Sequence, residues 1–268
     1  RLEVADLDGT LLDGDGNIPS QLWPLLETMR DRAIAFVPAS GRQCTTLSTM
    51  FGSHLQGMPI IAENGTYVVR DGVDISSSTI DPNLTREVIT GVRQLRNDGH
   101  DVGLVVATKS IAYLERGDDP FVSHVATYYH SHRIVKDLSE HTDDVIKLSI
   151  YDFREASEAT YPTMQRTAPE HQVILATPNW VDIMNPGVNK GSAVEAVQRD
   201  LGVTADQTAI FGDFLNDLEM MPMAKWSFAM ANGHPNIVKA SNYVAPPNTE
   251  NGVITVLAAL LGTRVPIT

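Results

Sequence analysis

Leu2-Glu3-Val4-Ala5-Asp6-Leu7-Asp8-Gly9-Thr10-Leu11-Leu12 opens the chain with a short apolar run that meets two acids, a glycine and a threonine. Leu2–Leu7 reads as a buried strand. Side chains alternate along a strand, which would put Asp6 and Asp8 on the same side and converge two carboxylates at its carboxyl end. An acidic turn accounts for an Asp and a Gly here, but it has no use for two converging acids. The pattern Asp-x-Asp-Gly-Thr should arise by chance in roughly one chain of this length in a few hundred. Two like charges this close coexist only if a cation joins them or one carboxyl stays protonated. Both conditions suit phosphoryl transfer. A hard cation such as Mg2+ prefers carboxylate and phosphate oxygens, one carboxylate can act as nucleophile, and its neighbour can serve as general acid and base.

Outward from this segment, short apolar runs alternate with amphipathic helical ones, as in an α/β fold with a mostly parallel sheet. Ser20 caps a helix carrying Leu22, Leu25, Leu26 and Met29, with Pro24 in its first turn. A strand at Ala33–Ala39, a helix from Gln43 to Phe51 and a strand at Met58–Ala62 follow, and Asn64-Gly65 reads as a tight hairpin turn into Tyr67–Arg70. At Asp81-Pro82, a helix cap followed by Pro at the first helical position, the pattern changes. Strands at Val102–Ala107, Ile111–Glu115, Val145–Tyr151, Gln172–Ala176 and Trp180–Met184, with helices at Phe121–Tyr129 and Glu155–Ala168, read as an α+β unit with antiparallel pairs. After Pro186-Gly187 the first pattern returns, with a helix at Ser192–Leu201, strands at Thr208–Phe211, Ser227–Met230 and Tyr243–Ala245, and a helix at Val253–Leu261. The expected organisation is a doubly wound α/β core in two segments, 1–79 and 186–268, interrupted by an α+β insert over 80–185.

The composition narrows the function classes. The chain has 268 residues, with 33 acidic against 20 basic side chains, a formal charge of −13 and a single cysteine. That charge offers nucleic acid or an anionic membrane no basic surface. The lone Cys44 excludes an intramolecular disulfide framework or a multi-thiolate zinc site and fits a reducing compartment. The most apolar stretches, Val102–Ala107 and Val253–Leu261, fall well short of the ~18 residues of a membrane span. No apolar leader precedes Asp6, and a cytoplasmic location is expected; Arg1 in place of an initiator Met suggests that some residues are missing upstream.

Three further motifs sit at expected strand ends or helix starts. They are Ser40-Gly41-Arg42 after the second strand, Gly187-Val188-Asn189-Lys190-Gly191 at a helix start, and Gly212-Asp213-Phe214-Leu215-Asn216-Asp217 after the Thr208–Phe211 strand. Taken singly, each also reads as an ordinary helix cap, a solvated lysine or an acidic loop. Their order and shared position carry the reading, since ligands of doubly wound sheets bind outside the carboxyl ends of the strands. His124, His130 and His132 match no firm metal spacing, and Cys44 reads as a small buried side chain.

With these four motifs the chain resembles the haloacid dehalogenase superfamily phosphatases of the Cof type, which carry a class II cap between the second and third motifs. The resemblance implies a Rossmann-like core with an inserted cap. It assigns Asp6 as nucleophile and Asp8 as acid/base, and gives the transferring phosphoryl group to Ser40, the Gly41 amide, Lys190 and Asn216. Mg2+ would be held by Asp6, Asp8, Asp213 and Asp217, and Asn64 and Arg42 are possible substrate contacts. Asp at the position of Asp8 resembles phosphatases and mutases rather than ion-pumping ATPases, which have Thr there, or dehalogenases. Small departures occur at Ala5, Ser40 and Asn189, and none removes a reacting group. In charge terms, four carboxylates meet three positive charges from Mg2+ and Lys190, and without both cations a phosphate dianion would be excluded. The expected activity is Mg2+-dependent hydrolysis of a small phosphorylated metabolite such as a sugar phosphate, through an aspartyl-phosphate. A phosphomutase using the same nucleophile, and a non-catalytic phosphometabolite-binding protein, are the alternatives.

Overall fold

The computed structural model of the protein describes residues 1–264; the last four residues of the second core segment, 265–268, lie outside them. β1 (Leu2–Ala5) is buried along its whole length. It is followed by α1 (Leu22–Asp31), β2 (Ala35–Pro38), α2 (Cys44–Phe51), β3 (Pro59–Ala62), β4 (Tyr67–Arg70) and β5 (Val73–Ser77). The insert then supplies α3 (Pro82–Asn97), β6 (Val102–Thr108), β7 (Ala112–Leu114), α4 (Asp119–Tyr128), β8 (His132–Ile134), β9 (Val145–Asp152), α5 (Thr160–Thr167), β10 (Gln172–Leu175) and β11 (Trp180–Met184). The chain closes with α6 (Lys190–Leu201), β12 (Thr208–Gly212), β13 (Trp226–Met230), α7 (Pro235–Ala240), β14 (Tyr243–Ala245) and α8 (Gly252–Leu261).

Among the described residues these elements form two units. The first comprises Arg1–Ser40, Leu47–Ser76 and the chain from Asn189 onward. Its main sheet has the order β14-β13-β12-β1-β2, parallel throughout. The chain leaves β1 toward β2 on one side and returns beside β1 as β12 on the other, so the strand order reverses between β1 and β12. In doubly wound sheets that reversal opens the crevice where ligands bind. Ala39 continues β2 into a parallel bridge with Ile61 of β3, and β3, β4 and β5 form a small sheet of their own. Leu2, Val4, Val37, Ile61, Val194, Val197 and Ile210 share one buried cluster between sheet and helices. Full burial of each such aliphatic side chain stabilises by about 1.5–3 kcal/mol.

The second unit comprises Ser77–Val188 together with Gly41–Thr46, a segment that the sequence reading places in the core. Its sheet runs β10-β11-β9-β6-β7-β8, antiparallel except for the β7–β8 pair. α3 lays Leu84, Val88, Ile89, Val92 and Leu95 against the cluster built on this sheet. Asp81 caps the helix by accepting from the Asn83 amide at 2.7 Å, and Pro82 occupies the first helical position, where a missing N–H does no harm. Within the same unit the Gln43 amide donates to the Tyr128 carbonyl at 3.0 Å, and its side chain exchanges hydrogen bonds with both backbone groups of Ser131. The fold is therefore the expected α/β core with a parallel sheet and a separate, mainly antiparallel cap sheet.

Several local expectations change. β1 ends at Ala5 rather than Leu7, and Leu7–Leu11 form a wide turn. Ser20 does not cap α1, whose cap position is Gln21 without a side-chain bond. The connection after β3 is a four-residue turn, with Ala62 paired to Tyr67, rather than a two-residue Asn-Gly hairpin. The 155–168 helix shortens to Thr160–Thr167, because Asp152 holds the Arg154 amide and the Thr160 hydroxyl in a turn ahead of it. β5, β8 and α7 were not anticipated; each is short, and the helix has only six residues. Among the described residues no helix is long and apolar enough to cross a membrane.

Candidate active site

The local fold of the first motif decides where its acids go. The Asp6 amide donates to the Phe211 carbonyl at 3.0 Å, which keeps Asp6 in line with β1 one residue beyond the strand. The chain then closes two successive i→i+5 bonds, Leu11 N to Asp6 O at 3.2 Å and Leu12 N to Leu7 O at 2.9 Å. Gly9 sits in the turn at φ +82°, and a Cβ there would overlap the Asp213 carboxylate. Only glycine therefore fits both the backbone and the space.

This turn overturns the expected convergence of Asp6 and Asp8. Asp8 lies beyond the strand with an exposed side chain, so strand alternation does not apply to it, whereas Asp6 is buried. The carboxylates that meet are those of Asp6, Asp213 and Asp217, each offering an oxygen within 4.8 Å of the others. Asp8 is not part of that cluster. Asp6 follows β1 and Asp213 follows β12, and these are adjacent parallel strands with Ala5 opposite Phe211. The two acids thus arrive together from the point where the strand order reverses.

Lys190 joins two members of the cluster, Asp6 and Asp217. It is the first residue of α6, behind an Asn189–Ser192 capping box, and is fully buried. Its Nζ donates to Asp6 Oδ1 at 2.5 Å and to Asp217 Oδ1 at 2.7 Å. The other oxygen of Asp217 accepts from the amides of Asp213 at 2.9 Å and Phe214 at 3.2 Å, which folds the Gly212–Asp217 loop. The Thr10 hydroxyl donates to Asp213 Oδ1 at 2.9 Å, joining the first motif to the fourth.

The electrostatics follow from burial. Desolvation pushes the Asp6 carboxyl well above the usual carboxylate range; the Asp217 and Asp213 charges add to this, and Lys190 opposes it. Asp213 is raised to about 6 by the same two causes, burial first and the Asp217 charge second, with the Thr10 hydrogen bond pulling the other way. Burial works against the Lys190 charge, yet the Asp217 and Asp6 carboxylates hold it above the ordinary lysine value. Three carboxylates against one ammonium leave an excess of negative charge in a buried space. A set of convergent carboxylate oxygens with that excess fits a hard divalent cation.

The remaining expected residues divide between the units. Asn216 Nδ2 donates to Asn64 Oδ1 at 3.2 Å, and the Asn64 amide donates to the Ser40 carbonyl at 3.0 Å, so these three belong to the first unit with the acidic cluster. Gly41 and Arg42 belong to the second. There the Gly41 carbonyl accepts from Lys147 Nζ at 2.7 Å. Arg42 donates to the Thr127 carbonyl at 3.0 Å and lies over the Tyr128 ring. Of the histidines, His124 stacks on Tyr151, and His132 Nδ1 lies 2.9 Å from the Tyr129 carbonyl oxygen.

Sequence reasoning missed the asparagines that support the first turn. Asn232 Nδ2 donates to the Gly9 carbonyl at 2.8 Å, its Oδ1 accepts from the Asn248 amide at 3.0 Å, and Asn248 Nδ2 donates to the Leu12 carbonyl at 2.9 Å. The Asn232-Gly233-His234-Pro235 run marks a turn before Pro235 at the start of α7, but not the carbonyls that the two side chains reach.

Comparison with known proteins defines the family. Residues 4–257 match the model of the haloacid dehalogenase-like hydrolases, and the chain belongs to that family. It is an enzyme of the family's phosphatase branch. It is 28% identical to a 5-amino-6-(5-phospho-D-ribitylamino)uracil phosphatase of Escherichia coli, over 99% of this chain and 98% of that one. The structure of SMU.1108c from Streptococcus mutans superposes with a TM-score of 0.85 at 24% identity, covering 98% of this chain and 99% of the other. A subclass IIB sugar phosphatase, BT4131, superposes with a TM-score of 0.80 at 20% identity over 98% and 99% of the two chains.

Proposed function

We propose that this protein is a Mg2+-dependent phosphatase that hydrolyses a small organic phosphate monoester through an aspartyl-phosphate on Asp6. The observation that carries this reading is the buried contact of Lys190 with Asp6 and Asp217, with Asp213 alongside, at the carboxyl ends of β1 and β12. Asp6, Asp213 and Asp217 are the residues to hold the cation. Bound Mg2+ supplies positive charge against the phosphoryl oxygens. Asp8, whose side chain is exposed and lies outside the cluster of Asp6, Asp213 and Asp217, is the residue for proton transfer rather than a carboxylate ligand.

In this mechanism an Asp6 carboxylate oxygen attacks phosphorus, and the bond from phosphorus to the ester oxygen breaks. Asp8 gives its proton to the departing oxygen. Asp8 then takes a proton from water, the water oxygen attacks phosphorus, and the bond to Asp6 breaks to release phosphate. Lys190 neutralises charge on Asp6 and on the phosphoryl group throughout, while Ser40 and Asn216 orient the phosphoryl oxygens. The names of two similar proteins, a 5-amino-6-(5-phospho-D-ribitylamino)uracil phosphatase and a sugar phosphatase, support a substrate class. A small phosphorylated polyol or sugar is the corresponding substrate here.

The test is free-phosphate release from an aryl phosphate and a panel of sugar and polyol phosphates, with Mg2+ and with excess chelator. Phosphate release that requires Mg2+ and disappears in Asp6→Asn is expected. Isomer formation without free phosphate would instead indicate a mutase, and tight binding without turnover a sensor.

A further inference from the structure

Three consecutive residues after β3 hold left-handed backbone. Glu63 has φ +53°, Asn64 +56° and Gly65 +97°. Glycine adopts this region freely and asparagine tolerates it, but two successive non-glycine residues there store strain that the surroundings must maintain. All three are buried, in a turn linking two short strands.

Asn64 and Gly65 of this segment between them adjoin three motifs of the candidate site. Upstream of the turn, the Ser40 amide donates to Ile61 O at 3.0 Å, and Ser40 O accepts from the Asn64 amide at 3.0 Å, so both backbone groups of Ser40 are fixed by β3 and its turn. The Asn64 side chain accepts at Oδ1 from Asn216 Nδ2 at 3.2 Å, across 152 residues of sequence. A Cβ on Gly65 would overlap the Asn189 carbonyl, so its backbone packs directly on the cap of α6, one residue before Lys190. The left-handed path is what lets the backbone meet Asn189 while the Asn64 side chain reaches Asn216.

We propose that Asn64 is a positioning residue for phosphoryl transfer: its carboxamide orients Asn216 and its amide fixes Ser40, so that the strained turn sets the mutual placement of the second, third and fourth motifs. Asn64 acts through Asn216 rather than by contact with substrate. This rests on the phosphatase reading above, which assigns Ser40 and Asn216 to the phosphoryl group.

The test is a double-mutant cycle between Asn64→Gly and Asn216→Ala, read as kcat and KM for phosphate release with saturating Mg2+. Glycine keeps the left-handed backbone and the amide bond to Ser40, so this variant removes the carboxamide alone. Asn64→Gly should lower kcat/KM about tenfold, mainly in kcat, with Tm nearly unchanged. In the Asn216→Ala background the same change should have almost no further effect. Asn64→Ala, which loses the same carboxamide but strains the backbone, should show the same kinetic loss with a lower Tm. Independent, multiplicative losses in the cycle, or an Asn64→Gly enzyme with wild-type kinetics, would overturn the proposal. Wild-type protein without Mg2+-dependent phosphate release would instead overturn the phosphatase reading on which it rests.

Discussion

Nζ of Lys190 lies 2.5 Å from Oδ1 of Asp6, although 184 residues separate them in the chain. The ammonium reaches this point because α6 begins there, and its second bond, to Asp217, fixes which way it points. A buried ammonium shared by two carboxylates serves folding as well as reaction chemistry.

Lys190→Ala should therefore be impaired twice. Removing one member of a buried ion pair leaves uncompensated charge and destabilises by roughly 3 kcal/mol or more. Loss of a preorganised positive charge at the reacting group should lower kcat by about a hundredfold or more. Urea unfolding together with aryl phosphate turnover checks both; a variant of normal stability and near-normal turnover contradicts the assignment.

The three clustered acids repel one another, so a divalent cation should stabilise the folded protein even without substrate. At a concentration ~100 times its Kd, Mg2+ would add about 2.7 kcal/mol. A thermal melt with and without Mg2+ measures this. The shift should be largely lost in Asp213→Asn, and an equal shift in that variant would place the cation elsewhere.

Thr10 holds Asp213 by one hydrogen bond at 2.9 Å. Partners of a metal ligand typically tune affinity ~10–100-fold when removed. Thr10→Val should accordingly raise the Mg2+ concentration for half-maximal activity about tenfold while leaving maximal turnover within a few-fold. Titration of activity with Mg2+ reads it directly.

Away from the site, Glu3 is buried on β1, its Oε2 has no hydrogen-bond partner among the described residues, and burial raises its carboxyl from 4.5 to about 7. A raised carboxyl favours the protonated folded state. The penalty is therefore absent below pH 4.5, grows between pH 4.5 and 7 as the unfolded chain ionises first, and stays at its full value above 7. Glu3→Gln should stabilise the protein at pH 8 by on the order of 3 kcal/mol relative to its effect at pH 4. Equal effects at the two pH values would contradict the burial argument.

Much of this site was legible before the structure, because its residues fall where strands end and helices start. Asp6, Lys190, Asp213 and Asp217 come from three such positions, whereas the helix expected from Ser192 in fact begins at Lys190 behind the Asn189 cap. That Asp8 stays out of the cluster could not be read, because alternation holds only while the chain remains a strand, and a wide turn begins at Leu7. The grouping of Gly41–Thr46 with the insert was equally hidden. It depends on Gln43 and Lys147 bonding to backbone groups distant in sequence, which no periodicity records. The same holds for Asn232 and Asn248, whose targets are carbonyls of the first turn.

The central claim is that Asp6 carries the phosphoryl group, and chemical trapping tests it most directly. Enzyme turning over an aryl phosphate with Mg2+ is quenched in acid and reduced with borohydride, which converts an acyl phosphate on aspartate to homoserine, and the peptide spanning Asp6 is sequenced by mass spectrometry. Homoserine at position 6, absent without substrate or Mg2+, is the predicted result. Full phosphate release with an unmodified Asp6, or with the modification on another carboxylate, contradicts the account.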